Sequence, residues 1–155
     1  MAAERQANIE HNVLELGSGG STIFFSRRCK SVKSYESNPE WENKVRSAIP
    51  EPSNVTFVLG NEETLVEAIR KEPDEYYDWL IADIDSGGVG DKGHGYEFRL
   101  KMMHESVSKL KSGGYMVVDN YEERHLMTFD YKGWDVYTFD DMGYHGRGTR
   151  ICVKK

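Results

Sequence analysis

The sequence predicts an α/β fold in which a mostly parallel sheet is covered by helices on both faces and closed by an antiparallel pair of strands. Three observations carry this expectation. Short apolar runs alternate with amphipathic segments along the 155 residues, which is the pattern of repeated β-α-β units. The first apolar run passes directly into Gly17-Ser18-Gly19-Gly20-Ser21 and then into a second apolar run, IFF. The chain closes on two strand-like segments with no helical pattern between them. The glycine stretch has the composition of a flexible linker, but a linker is solvated coil. The flanking VLEL and IFF require burial, so a strand-to-helix turn is the better reading.

Taken in order, residues 12–16 (NVLEL) read as a buried strand, followed by a helix over about 21–29 and a second strand over 31–36. The segment NPEWENKVRSAI opens a helix well. Asn38 can cap it, Pro39 suits its first turn, and Glu40 and Glu42 favour its positive end. Trp41, Val45 and Ile49 recur every four residues and give that helix an apolar stripe. Core packing is the expected place of Trp41, Trp79 and Trp134. A third strand (54–59), a third helix (62–72) and a fourth strand (77–84), entered after Pro73, come next. A glycine-rich loop occupies 85–95. Phe98, Met102, Met103, Val107 and Leu110 then share one side of a helix expected to stop at Gly113-Gly114. Residues 115–120 form a fifth strand, a short helical segment lies near 121–128, and 134–141 with 149–155 make the terminal pair. Seven strands result.

Composition bounds the function. The length suits a single domain over 1–155 with a sizeable core. The formal net charge of −6 argues against broad electrostatic binding to nucleic acid. No apolar run reaches membrane-spanning length, and the polar N-terminal stretch lacks a signal-peptide apolar region, so no membrane partner and a cytoplasmic location are expected. Cys29 and Cys152 are far apart without metal-ligand spacing and read as buried reduced thiols. Three of four glycine clusters, within 17–20, 87–95 and 143–148, follow strand ends. In open parallel sheets that is where ligands bind.

The stretches LELGSGGST, SYESNPEW, FVLGNEE, YDWLIADID and LKSGGYMVVDN occur in the order and spacing of class I S-adenosylmethionine-dependent methyltransferases, which the chain resembles over nearly its whole length. The resemblance implies a three-layer Rossmann-like sandwich and S-adenosylmethionine as cofactor. It places the donor over Glu15, Gly17, Ser18 and Gly19, with Glu36 and Ser37 at the ribose, Asn61 accepting from the adenine amino group, and Asp83 beside the donor. Trp41 can also flank the adenine. The third glycine of the common turn is Ser21 here, a replacement the methyltransferase turn tolerates better than the dinucleotide turn.

Methyl transfer from a sulfonium needs alignment above all, and a base only for a poor nucleophile. The resemblance points to Asp83, His94 and Asp119 as catalytic candidates, and to Asp85, Tyr96, Arg99 and Tyr144 as substrate contacts. In O-methyltransferases that use a divalent cation, acids at these strand ends hold it. Asp83, Asp119 and Asn120 are therefore the alternative set for Mg2+, with no metal as the leading expectation. A small-molecule acceptor is expected, since the Pro-Pro-aromatic motif of adenine-N6 enzymes is missing after the fourth strand. A NAD-dependent oxidoreductase, a non-methylating S-adenosylmethionine-binding protein or partner subunit, and a homodimer are the readings left open.

Overall fold

Parallel pairing begins with Asn12–Leu16 (β1), fully buried along its length, and every later element is arranged around it. The computed structural model describes residues 7–84, 94–122, 126–140 and 148–155, excepting the side chains of 94–96. Gly20–Ser26 (α1), Ser31–Glu36 (β2), Pro39–Ser47 (α2), Val55–Leu59 (β3), Glu62–Arg70 (α3) and Tyr77–Ala82 (β4) complete the first half. His94–Ser106 (α4), Leu110–Asp119 (β5), Trp134–Phe139 (β6) and Thr149–Lys154 (β7) follow. The seven strands form one sheet in the order β3-β2-β1-β4-β5-β7-β6. The first five run parallel, and β7 pairs antiparallel with both β5 and β6. Strand order reverses at β1, which pairs with β2 on one side and β4 on the other.

Alternation along β1 divides the core. Leu14 and Leu16 face the larger cluster, with Leu65, Ile69, Phe98, Met102, Met103 and Met116 from α3, α4 and β5. Val13 faces the smaller one, with Phe25, Cys29, Val32 and Trp79 beneath α1. The two cysteines are free and buried. The N-caps behave as the residue types predict: Asn38 accepts from the amides of Glu40 and Trp41, and Asn61 from that of Thr64. Among the described residues, no helix is long and apolar enough to cross a membrane.

Three expectations need correction. The helix expected to run to Gly113-Gly114 stops at Ser106, followed by a single 3-10 turn at Val107–Lys109. Leu110 already pairs with Tyr77, whereas Trp79 pairs with Tyr115, so Lys111 to Gly114 bulge out of the ladder. Gly113, at φ 78°, serves this bulge and caps no helix. The apolar spacing misled because Leu110 is buried either way. The segment near 121–128 carries only the 3-10 turn Leu126–Thr128 among its described residues. Trp41 leaves the predicted stripe: it is 42% exposed, while Val45 and Ile49 are buried.

The tightest point in the fold is Gly17, at φ 92°. A Cβ there would lie 2.7 Å from the backbone of Asp83 and Ile84. Backbone cannot move aside as a flexible side chain can. Gly17→Ala is therefore expected to destabilise the protein by about 3 kcal/mol or more, combining a strained φ with a steric clash. The urea unfolding midpoint of the variant measures it.

Candidate functional site

A cavity of about 410 Å³ lies at the carboxyl end of β1, where the strand order reverses. Its walls are Gly17, Ser18, Gly19, Gly20, Glu36, Asn38, Trp41 and Asp83. The volume falls within the roughly 300–1,000 Å³ range of small-molecule sites. Gly17 N donates to Tyr35 O at 2.8 Å, and Asp83 N donates to Leu16 O at 2.8 Å. The turn is thereby tied to both neighbouring strands. At Gly19 and Gly20 the situation is opposite to Gly17: a Cβ would meet nothing within 4 Å. Those two glycines keep the cavity floor bare.

Ser18 is fixed on three sides. Its amide donates to Glu36 Oε2 at 2.9 Å, its hydroxyl is 2.9 Å from Ser34 Oγ, and its carbonyl accepts from Trp41 Nε1 at 2.6 Å. Glu36 Oε1 accepts from the amides of Ser37 and Asn38, both at 2.8 Å. One carboxylate thus links the glycine turn to the start of α2. Oε1 has two donors and Oε2 one, so Oε2 retains acceptor capacity toward the cavity.

Glu15 lies beneath this turn and lines no part of the cavity. It is wholly buried on the α1 face and accepts from Ser21 Oγ (2.5 Å), Thr22 Oγ1 (2.6 Å) and Ser34 Oγ (2.6 Å). Thr22 Oγ1 in turn accepts from Gly19 N at 2.7 Å. Burial pushes the Glu15 carboxyl up to about 7, against the three hydroxyl hydrogen bonds that lower it, and nearby Asp83 adds to the rise. Its role is positioning of the turn, and the direct ligand contact expected for it is corrected accordingly.

The other expected residues separate clearly. Asn61 Oδ1 accepts from both Thr64 N and Thr64 Oγ1. Both lone pairs serve the α3 cap, so the expected adenine-acceptor role is not open to that oxygen. Arg99 is 3% exposed and reaches Ile84 O (2.8 Å), Asp119 O (2.9 Å) and Asp83 Oδ1 (3.1 Å). It clamps the ends of β4 and β5 together, which corrects its expected substrate role. Asp119 Oδ1 accepts from Thr149 Oγ1 at 3.1 Å. The alternative set for a divalent cation fits poorly, because both of its carboxylates are engaged within the protein: Asp83 Oδ1 by the Arg99 guanidinium, itself a cation, and Asp119 Oδ1 by Thr149. That leaves Asn120 Oδ1 as the one buried oxygen of the set without a partner among the described residues. No group of three or more His, Cys, Asp or Glu side chains comes together for a metal among the described residues. Asp85, Tyr144 and the side chains of His94 and Tyr96 lie outside the described residues.

Sequence reasoning gave Asn38 only as a helix cap and Trp41 as a core residue that can also flank the adenine, whereas both line the cavity. The available signal was their position: a helix beginning two residues after Glu36 must set its first turn against the same strand end.

No protein-family model matches the sequence, and no curated protein matches it in sequence. Solved structures do match in fold. An rRNA methylase from Streptococcus thermophilus superposes with a TM-score of 0.66 at 15% identity, over 96% of this chain and 89% of the other. The N-methyltransferase NodS from Bradyrhizobium japonicum gives 0.64 at 13%, over 99% and 90%. Human methyltransferase-like protein 13, solved with S-adenosylhomocysteine, gives 0.65 at 12%, over 94% and 72%. The chain therefore has the Rossmann-like fold of these methyltransferases.

The raised Glu15 pKa has a defined sign. Below about pH 4.5 the carboxyl is protonated folded and unfolded; between 4.5 and 7 it ionises more readily unfolded, so stability falls as pH rises. Above pH 7 the loss levels off, at about 3 kcal/mol for a shift of this size. Glu15→Gln removes the titration, so its stability relative to wild type should rise between pH 5 and pH 8. Denaturant midpoints of both proteins at the two pH values check this; parallel curves would refute it.

Proposed function

We propose that the cavity over Gly17–Gly20 binds S-adenosylmethionine and that the protein transfers its methyl group to an oxygen or nitrogen of a small-molecule acceptor. The observation that carries the reading is the junction of bare floor and carboxylate. Gly19 and Gly20 leave space for a ligand, and Glu36 retains acceptor capacity beside it. The shared fold with methyltransferases supports the same conclusion at the level of architecture.

The residues would divide the work as follows. Glu36 accepts ribose hydroxyls, and Trp41 offers its indole face to the adenine. Glu15, through Ser21, Thr22 and Ser34, holds the turn that carries Ser18 and Gly19. Asp83 lines the cavity at the end of β4, held by Arg99. The bound cofactor supplies a methyl group already activated on a sulfonium. The protein's contribution is then alignment of acceptor and methyl, a proximity effect.

The acidic balance, −6, supports a small acceptor over a nucleic acid. Buried free thiols suit a reducing, cytoplasmic setting. Because the donor set fits Mg2+ poorly, the reaction is proposed to proceed without it.

Calorimetric titration with S-adenosylmethionine, S-adenosylhomocysteine and NAD, with and without magnesium, tests the reading. Both sulfur nucleosides should bind, magnesium should change nothing, and Glu36→Ala should weaken binding by about tenfold or more, the loss of hydrogen bonds to a charged group. Binding of NAD alone would overturn it. Gly20→Ala gives a second test, because Ala at a helix start favours the free protein by about 0.5–1 kcal/mol. Its Cβ enters the cavity, so thermal stability should hold or rise while S-adenosylhomocysteine affinity falls.

A further inference from the structure

Among the described residues, three buried polar side-chain atoms have no hydrogen-bond partner: Asn120 Oδ1, Tyr131 OH and Arg150 Nε. They belong to one corner of the molecule. Arg150 pairs in register with Val118, and Asn120 follows two residues later, just past the end of the same strand, β5. The Arg150 guanidinium lies 4.8 Å from the centre of the Tyr131 ring and 4.1 Å from that of Tyr121. Native structures rarely leave such groups unpaired, so a cluster of them asks for an explanation.

The cation is caged but not neutralised. Two tyrosine rings flank Arg150, and no carboxylate among the described residues forms an ion pair with it. Asp140, on the far side of the Tyr121 hydroxyl, accepts from that OH at 2.7 Å and forms no ion pair with Arg150. Tyr121 itself is held tightly, since a Cβ on Gly148 (φ 61°) would stand 2.5 Å from its ring. Burial pushes the Tyr131 phenol up, and the Arg150 guanidinium draws it back through a hydrogen-bonding approach short of good alignment and through its charge. Asn120 has φ 53°, a left-handed conformation that asparagine adopts more readily than other residues with a side chain.

This corner lies along the same edge of the sheet as the cavity, since Leu16, Ala82, Val118 and Arg150 are successive partners across β1, β4, β5 and β7. The end of β5 joins the end of β4 through Arg99, which contacts Asp119 O and Asp83, and Asp83 lines the cavity. Building on the donor site proposed above, we infer that Arg150, with Tyr131, anchors an anionic group of the methyl acceptor, a carboxylate or a phosphate, while Asn120 Oδ1 accepts from the N–H or O–H to be methylated. A guanidinium whose face is stacked keeps its donor edge for planar or tetrahedral anions. The acceptor class is then a small amino or hydroxy compound bearing an acid group.

The test uses inorganic phosphate and acetate as probes, titrated into 15N-labelled full-length protein saturated with S-adenosylhomocysteine, at ionic strength held constant with sodium chloride. The Arg150 Nε–H resonance, assigned by its loss in Arg150→Gln, should shift saturably. The affinity should fall about tenfold or more in Arg150→Gln, as expected for losing a charge-assisted pair. Tyr131→Phe keeps the ring and removes only the hydroxyl, so it should fold and bind the probe several-fold more weakly. The tighter of the two probes assigns phosphate or carboxylate.

An unshifted Arg150 resonance, or equal affinity in wild type and Arg150→Gln, would overturn the assignment. So would an oligoribonucleotide that binds through Arg150 with the steep salt dependence of several phosphate contacts. S-adenosylhomocysteine affinity read on the same samples separates the two proposals. Its absence in wild type sinks the donor site, while the probe titration, repeated without the nucleoside, judges Arg150 alone.

Discussion

The closeness of two backbones at the carboxyl end of β1 governs the site. Where Gly17 passes Asp83 and Ile84 there is room for a hydrogen and nothing larger. This contact brings the β1 turn against the end of β4. It directs Ser18 toward β2 rather than into solvent, and only then can one carboxylate, Glu36, receive the Ser18 amide along with those of Ser37 and Asn38. Trp41 completes the frame by donating to the Ser18 carbonyl. Two glycines two residues apart thus act in opposite ways: Gly17 permits protein to touch protein, and Gly19 leaves the cavity floor bare.

A buried carboxylate beneath the turn looks at first like a defect, because burying a charge is unfavourable unless it is paired. Glu15 has no cationic partner among its close contacts; it has three hydroxyls. Hydroxyls satisfy either protonation state, so the group stays compatible with the interior while its proton affinity rises. The arrangement also explains Ser21 at the place where dinucleotide turns have a third glycine. Its hydroxyl faces inward to Glu15, which a glycine could not provide.

Most of the fold could be read from the sequence because each element was specified locally. Asn38 and Asn61 capped the helices they introduce, and the strands read at 12–16 and 31–36 form with those bounds. The failures share a cause: they depend on what the chain meets in three dimensions. Leu110 fits a helical stripe and an internal strand equally well, and only its pairing with Tyr77 decides. Arg99 reads as a substrate clamp until the two carbonyls that claim it are in view. Trp41 belongs by spacing to the core, yet the approach of Ser18 gives its indole N–H a partner at the rim. Tyr131 and Arg150 carry no sequence signal, and Asn120 is legible only as a strand-end residue, since an unsatisfied polar atom is a property of the packed state.

The engaged amides of the turn also bear on which nucleotide it suits. A dinucleotide turn binds pyrophosphate through unengaged backbone N–H groups at a helix start, helped by the helix dipole. Here Ser18 N is held by Glu36 and Gly19 N by Thr22 Oγ1, so both donors are occupied within the protein. Glu36 and Asp83 line the same cavity, and among the described residues no Arg or Lys lines it. A dianionic pyrophosphate would have to displace two internal hydrogen bonds and sit between carboxylates. A sulfonium donor brings positive charge instead, and the same carboxylates then attract it. In the proposed reaction the sulfur becomes a neutral thioether and that attraction would weaken, so the electrostatics that favour the proposed donor would also favour release of its product.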